Sequence, residues 1–306
     1  MKQQNSGNQA GLKPREKKTR LQVGAPVELM VFLIEKLPDR TRNHIKALLT
    51  RGQVSADGKV VKQYNQLLSA GQEVVIDWSH AKAPETVKGL EILFEDPYLI
   101  VINKPSGLLT IASEAEKEKT AYHLLMNHVH RTDPGNRLFI VHRLDRDTSG
   151  VMLFAKSEAV KNQFQNHWKS MVTERAYLAA VEGPVRKPEG TISSRLAETK
   201  TKMMYSTTKP GEGAVAITHY QVLKSTGTRS LLKIHLETGR KNQIRVHMKD
   251  IGHSILGDKK YGAKTDPMGR LALHAQILAF RHPVTKQPMY FEAPIPPEFL
   301  RLFNER

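Results

Sequence analysis

Apolar positions along the chain follow a helical period first and a strand period afterwards. Val27, Met30, Val31, Ile34 and Leu37 recur three and four residues apart, which predicts one face of a helix that Pro38-Asp39 stops. A second helix is expected from about Thr41 to Arg51, with Thr41 capping its first turn and Gly52 ending it. Ile45, Leu48 and Leu49 share one of its faces, while Arg42, Lys46 and Arg51 lie on the other. Val54 to Val61 reads as a hairpin around Asp57-Gly58, a pair suited to the positive backbone angles of a two-residue turn. Gly71-Gln72 then turns into a strand from Glu73 to Trp78. Residues 81–89, with Pro84 inside, are expected to be a linker.

From Leu90 onward strands outnumber helices. Leu90 to Glu95 and Tyr98 to Asn103 are apolar runs joined by a Pro-containing turn, and Lys104-Pro105-Ser106-Gly107 forms a second turn. Thr120 to Val129 is helical in pattern. Ser157 caps a helix to about Val172, with Val160, Phe164, Trp168 and Met171 on one face. Arg175 to Glu182, Gly190 to Ala197, Ala214 to Leu223 and Ser230 to Glu237 read as strands. Gly239 to Gln243 leads into a short helix ending at Gly252, and the runs Leu271 to Phe280 and Met289 to Phe291 complete the segment. Strands linked mostly by hairpins predict an α+β domain on a largely antiparallel mixed sheet.

Charge narrows the partners. Lys and Arg number 47 against 30 Asp and Glu, a formal net charge of +17 that points to a polyanion, either nucleic acid or an acidic membrane surface. No apolar run is long enough to span a bilayer, and Met1-Lys2-Gln3-Gln4-Asn5 carries no apolar signal segment, so a cytoplasmic location is expected. The absence of cysteine excludes disulfides, thiolate zinc sites and cysteine-ligated iron–sulfur clusters. The histidines lack metal-ligand spacing, and no metal or small-molecule cofactor is expected. Met1 to Gln22 is polar and basic, and reads as a disordered arm, either a solvated tail or a phosphate binder. A monomer is expected.

Candidate chemistry concentrates in His142-Arg143-Leu144-Asp145-Arg146-Asp147-Thr148-Ser149-Gly150, a polar turn between the apolar runs Leu138–Val141 and Val151–Phe154. A turn has backbone uses for Asp, Ser and Gly, but none for two arginines, a histidine and a second carboxylate. Asp145 reads either as a turn-capping carboxylate or as a reactive one held ionised by cations, with Arg143 and Arg146 aimed at a polyanion.

Helix–helix–hairpin with a basic second helix resembles the S4 RNA-binding domain. The features carrying the likeness are Thr41-Arg42, Gly52-Gln53-Val54, Asp57-Gly58-Lys59-Val60 and Ala70-Gly71-Gln72-Glu73-Val74. From Leu90 to the C-terminus the chain resembles the RluA-type family of pseudouridine synthases. That likeness rests on His142 to Gly150, on Arg175-Ala176-Tyr177-Leu178 and on Gln243-Ile244-Arg245-Val246-His247. Lys104-Pro105-Ser106-Gly107 and Gly252 to Asp258 add to it. One departure is Asn242, where that family usually carries His. The resemblance implies a small α/β S4-like domain at 23–80, after the arm at 1–22, then the linker at 81–89 and a catalytic domain of pseudouridine synthase type at 90–306.

The implied reaction is the isomerisation of uridine to pseudouridine within RNA, with large-subunit ribosomal RNA the expected substrate and transfer RNA the alternative. The N1–C1′ bond breaks, the uracil turns over, and C5 joins the sugar. By resemblance Asp145 is the catalytic carboxylate, which either adds to the sugar or removes a C2′ proton. Arg245 keeps it ionised, and Tyr177 packs on the base. Arg42, Lys46, Arg51, His142 and Arg143 are read as RNA contacts, with Arg143 filling the space left by the extruded base. Two other classes stay open: a non-catalytic RNA-binding or ribosome-assembly factor, and a nucleosidase that releases free uracil.

Overall fold

A computed structural model of the chain describes residues 18–38, 42–50, 52–61, 63–77, 85–87, 89–112 and 116–303. The chain divides into two compact units, Met1–Ala83 and Pro84–Arg306, so the boundary falls inside the expected linker.

The first unit runs β1 (Lys18–Gln22), β2 (Val27–Glu28), α1 (Leu29–Lys36), α2 (Arg42–Thr50), β3 (Val54–Ala56), β4 (Lys59–Val60), β5 (Leu67–Leu68) and β6 (Glu73–Asp77). A four-stranded sheet has the order β1-β6-β3-β4, and β2 pairs with β5. Leu29, Phe32 and Leu33 of α1 and Ile45, Leu48 and Leu49 of α2 are buried with Val54, Val74 and Ile76 in one core. The α2 pattern therefore holds: its apolar face is inward, and Arg42 and Lys46, one turn apart, are exposed. Asp57 and Gly58 both have positive φ (47° and 76°), as the hairpin turn requires.

The expected arm needs correction at its end. Lys18–Gln22 is not a disordered tail but a strand antiparallel to β6. It buries little, and is held instead by ladder hydrogen bonds and by cross-strand ion pairs Lys18–Asp77 (3.3 Å) and Arg20–Glu73 (3.0 Å). Residues 1–17, the cap Thr41 and the candidate Arg51 lie outside the described residues.

The second unit continues β7 (Glu85–Val87), β8 (Leu90–Glu95), β9 (Leu99–Lys104), α3 (Ala121–Thr132), β10 (Phe139–Ile140), β11 (Ser149–Ala155), α4 (Glu158–Met171), β12 (Val172–Glu182), β13 (Glu189–Glu198), β14 (Met204–Thr207), β15 (Ala214–Ser225) and β16 (Arg229–Leu236), then α5 (Gln243–Asp250), β17 (Leu273–Arg281), β18 (Pro288–Glu292) and α6 (Pro297–Arg301). Its 12-stranded sheet has the order β14-β13-β15-β16-β12-β17-β11-β9-β8-β7, with β10 on β11 and β18 on β17. Part of the expected linker is thus a sheet strand, β7, antiparallel to β8. Only the β11–β17 pair is parallel among the described strands, which makes the sheet mixed and largely antiparallel.

The unbroken apolar runs of β9 and β11 follow from cover on both faces. Ile100, Ile102, Met152 and Phe154 pack with Ala121, Leu125 and Val129 of α3. Their alternating neighbours Leu99, Val101, Val151 and Leu153 pack with Val160 and Phe164 of α4. Both helices begin where expected: Thr120 and Ser157 accept from the amides of His123 and Val160. Among the described residues no helix is long and apolar enough to cross a membrane.

Candidate active site

The polar stretch between β10 and β11 is pinned from behind. Lys104, at the end of β9, is fully buried, and its ammonium donates to the carbonyls of Pro105 (2.9 Å), Leu108 (2.7 Å) and Arg146 (2.9 Å). Burial draws its pKa down to about 7, against the pull of Asp147 and Asp145 towards the charged form. The Ser106 hydroxyl donates to the Asp147 carbonyl (2.7 Å) and the Thr110 hydroxyl to that of Leu144 (2.7 Å). At the exit Gly150 has φ 115°, and a Cβ there would lie 2.1 Å from the Ala275 carbonyl oxygen, so the parallel pairing with β17 admits only glycine.

The loop so held presents Asp145 to a cleft lined also by Arg143, Tyr177, Asn242 and Arg245. Its carboxylate accepts from Asn242 Nδ2 (2.6 Å) and pairs with the Arg245 guanidinium (3.2 Å). Asn242 is the N-terminal cap residue of α5 and is left-handed (φ 51°), a conformation asparagine tolerates well. Asp145 therefore also meets the positive end of a helix.

Arg245 is fixed from three directions. Asp258, with its side chain 1% exposed, grips it through two 2.7 Å hydrogen bonds. Asp145 takes a third, and the Tyr261 ring lies 4.8 Å below the guanidinium. Burial alone would disfavour the cation, but Asp258 and Asp145 more than reverse that and raise its pKa. One permanent cation thus serves two carboxylates, one buried and one facing the cleft. Gln243 supports the same turn: it accepts from Thr238 Oγ1 and the Arg240 amide and donates to Ile217 and Thr218.

Tyr177 projects from β12 into the cleft, half-buried, and its hydroxyl makes no protein hydrogen bond among the described residues. Burial raises the phenol pKa, so it stays protonated at neutral pH. Arg143 is exposed on the rim.

His142 is placed otherwise than the sequence suggested. Its Nε2 accepts the Leu153 amide (3.1 Å) and its ring packs against Trp168 at 5.4 Å. Burial first, and Arg175 second, push its pKa down to about 3, so it fastens the loop to β11 as a neutral ring and offers RNA no charge. Asp258 and Tyr261 were not assigned roles from sequence. The Gly257-Asp258 pair signalled the former, whereas nothing local marks the tyrosine.

The buried histidines carry a pH prediction. Arg270 donates to Ser149 Oγ (2.6 Å), which leaves that hydroxyl to donate to His274 Nδ1 (2.9 Å). Burial pushes His274 down to about 4 from an ordinary 6.5. Unfolding returns His142 and His274 to that ordinary value, so the unfolded chain binds more protons below pH 6.5. Stability is complete above that pH and falls as pH drops towards 4, by about 2 kcal/mol per ring at pH 5. Urea melts at pH 7 and 5 measure this, and His274→Asn, which keeps an acceptor for Ser149, should give a shallower decline. Equal declines would remove His274 from the account.

The sequence profile of RNA pseudouridylate synthases matches residues 98–250. An RNA pseudouridine synthase of Bacillus subtilis, described as uncharacterized, is 34% identical over 243 residues, covering 78% of this chain and 80% of that protein. The ribosomal large subunit pseudouridine synthase D of Pasteurella multocida is 32% identical over 288 residues, covering 88% of each. The solved structure of human RNA pseudouridylate synthase domain containing 4 superposes with a TM-score of 0.56 at 26% identity, covering 68% of this chain and 90% of that one.

Proposed function

Because the chain belongs to the RNA pseudouridylate synthase family, we propose that it isomerises uridines of large-subunit ribosomal RNA, with Asp145 as the catalytic carboxylate. The observation that carries the reading is a carboxylate lining a cleft, held there by Arg245 and Asn242. Relatives named for the ribosomal large subunit support that RNA over transfer RNA.

Breaking the N1–C1′ bond moves its electron pair onto uracil and leaves positive character on the sugar, which a carboxylate at C1′ and C2′ stabilises. Asp145 does this either by adding to the sugar or by taking a C2′ proton. Arg245 and Asn242 hold the carboxylate in place and aimed into the cleft. After the base turns, C5 bonds to C1′ and its proton leaves, while N1 acquires one; atoms and electrons balance with no co-reactant. Tyr177, beside the carboxylate with an unengaged hydroxyl, packs against the base. The first unit, with Arg42 and Lys46 exposed on one face of α2, serves as an S4-like platform for RNA phosphates.

Loss of the C5 proton gives the assay. RNA carrying tritium at uridine C5, from large subunits lacking the modification, should release tritium to water with no free uracil. Tight binding without release would favour an assembly factor, and uracil in the supernatant a nucleosidase. Arg143, on the rim, fills the stack vacated by the extruded base. Arg143→Ala should slow release from folded RNA roughly tenfold or more, matching an unstacking cost of a few kcal/mol, yet slow a short unstructured strand little. Equal losses on both substrates would rule that role out.

A further inference from the structure

A second cleft adjoins the first and shares Arg143, Tyr177, Leu236 and Arg240 with it. Its volume, about 400 Å³, is within the range of clefts that seat a small ligand. Trp168 and Arg175 form its floor, the guanidinium lying 5.5 Å from the indole centroid. Arg175 donates to the Leu236 carbonyl (3.1 Å), and Gly239 lets it lie there, since a Cβ at 239 would come within 2.7 Å of it. No carboxylate of the described residues lies within ion-pair distance of Arg143, Arg175 or Arg240. Arg175 is half-buried, and burial works against its charge with no carboxylate beside it. The reaction at Asp145 uses neither Trp168 nor Arg175.

An aromatic–guanidinium floor with unneutralised arginines on its rim is the chemistry that binds single-stranded nucleic acid: a π surface for a base and cations for the backbone. We propose that this cleft is a second RNA subsite, which seats the nucleotide adjoining the target uridine, its base on the Trp168–Arg175 floor and its phosphate on Arg240. The assignment rests on the reading of the chain as an enzyme that modifies uridine within RNA. The shared wall makes the two clefts contiguous, so one strand can fill both.

The chain has two tryptophans, Trp78 and Trp168. In a Trp78→Phe protein the emission reports Trp168 alone. Three probes are titrated: a twelve-residue-scale RNA (about a dozen nucleotides) with one uridine, the same strand abasic on both sides of that uridine, and inorganic polyphosphate. Base-bearing RNA is expected to quench Trp168, and the abasic strand and polyphosphate to leave it bright. In parallel, Trp168→Leu should raise KM for tritium release roughly tenfold, the scale of one lost base stack, with the smaller part of the effect in kcat. Equal quenching by all three probes, or no quenching by an RNA whose anisotropy shows it bound, overturns the subsite. An unchanged KM in Trp168→Leu overturns it too. Tritium release by the wild type is scored separately: release without quenching sinks the subsite and leaves the enzyme reading intact. Quenching without release does the reverse.

Discussion

Asp145→Asn should release tritium from C5-labelled RNA roughly ten-thousand-fold more slowly than the wild type, the scale of loss when a reacting group is removed. The substitution is nearly isosteric. Its amide oxygen can still accept from Asn242 Nδ2 and face Arg245, and Arg245 keeps both bonds to Asp258. The loop itself hangs on Lys104, Ser106 and Thr110, none of which touches the Asp145 side chain. Fold and cleft should therefore survive, with a urea midpoint close to the wild type. RNA binding should be unchanged or tighter, because a negative charge facing phosphate has been removed. Measured together, lost release with retained binding isolates the carboxylate. A variant that keeps activity within tenfold of the wild type would dismiss Asp145 from the chemistry.

Asp258→Ala is expected to cost about 3–5 kcal/mol, the penalty for stripping one partner from a buried ion pair. Asp258 is the main anchor of Arg245, and it also accepts from the Tyr261 amide (3.2 Å), closing the turn that sets that ring under the guanidinium. With the anchor gone, Arg245 is left to Asp145 alone and can swing towards it. A misplacement of an ångström is enough to cost about 100-fold in rate. Asp258→Asn should fall between: it preserves the amide contact and one hydrogen bond to Arg245, but loses the charge. Urea melts and single-turnover tritium release on both variants test this. If the alanine variant turns over at the wild-type rate, Asp145 and Tyr261 suffice to fix the arginine, and Asp258 has no positioning role.

Much of the fold was legible locally, because the local signals agree with the tertiary ones. Ser157 caps the helix it was expected to cap, Asp57-Gly58 adopts its hairpin turn, and the double-sided cover of β9 and β11 explains apolar runs that alternation could not. The two missed strands share a cause, whereas Val31 and Ile34, placed on the inner face of the first helix by their spacing, are exposed. Lys18–Gln22 and Glu85–Val87 are too polar to announce themselves, and they are strands because a neighbouring edge offers them hydrogen bonds. Lys104 in a Lys-Pro-Ser-Gly turn looks solvated, yet it is fully buried, since three carbonyls from two separate loops converge on it. Asp145 and Arg245 lie 100 positions apart, and only family likeness joined them. Tyr261 had no such likeness assigned, and its place under Arg245 exists only in three dimensions. His142, read from sequence as an RNA contact, has its ring engaged with the Leu153 amide and Trp168, which no local pattern announces.

The clamp of Lys104, Ser106 and Thr110 on the loop bearing Asp145 has a consequence for the division of labour between enzyme and RNA. A tool ground to a fixed edge cannot wrap its workpiece. The conformational expense of bringing uridine to carboxylate then falls on the substrate, whose own pairing and stacking become the throttle. A uridine in a loose single strand should therefore react faster than the same uridine locked in a stable duplex.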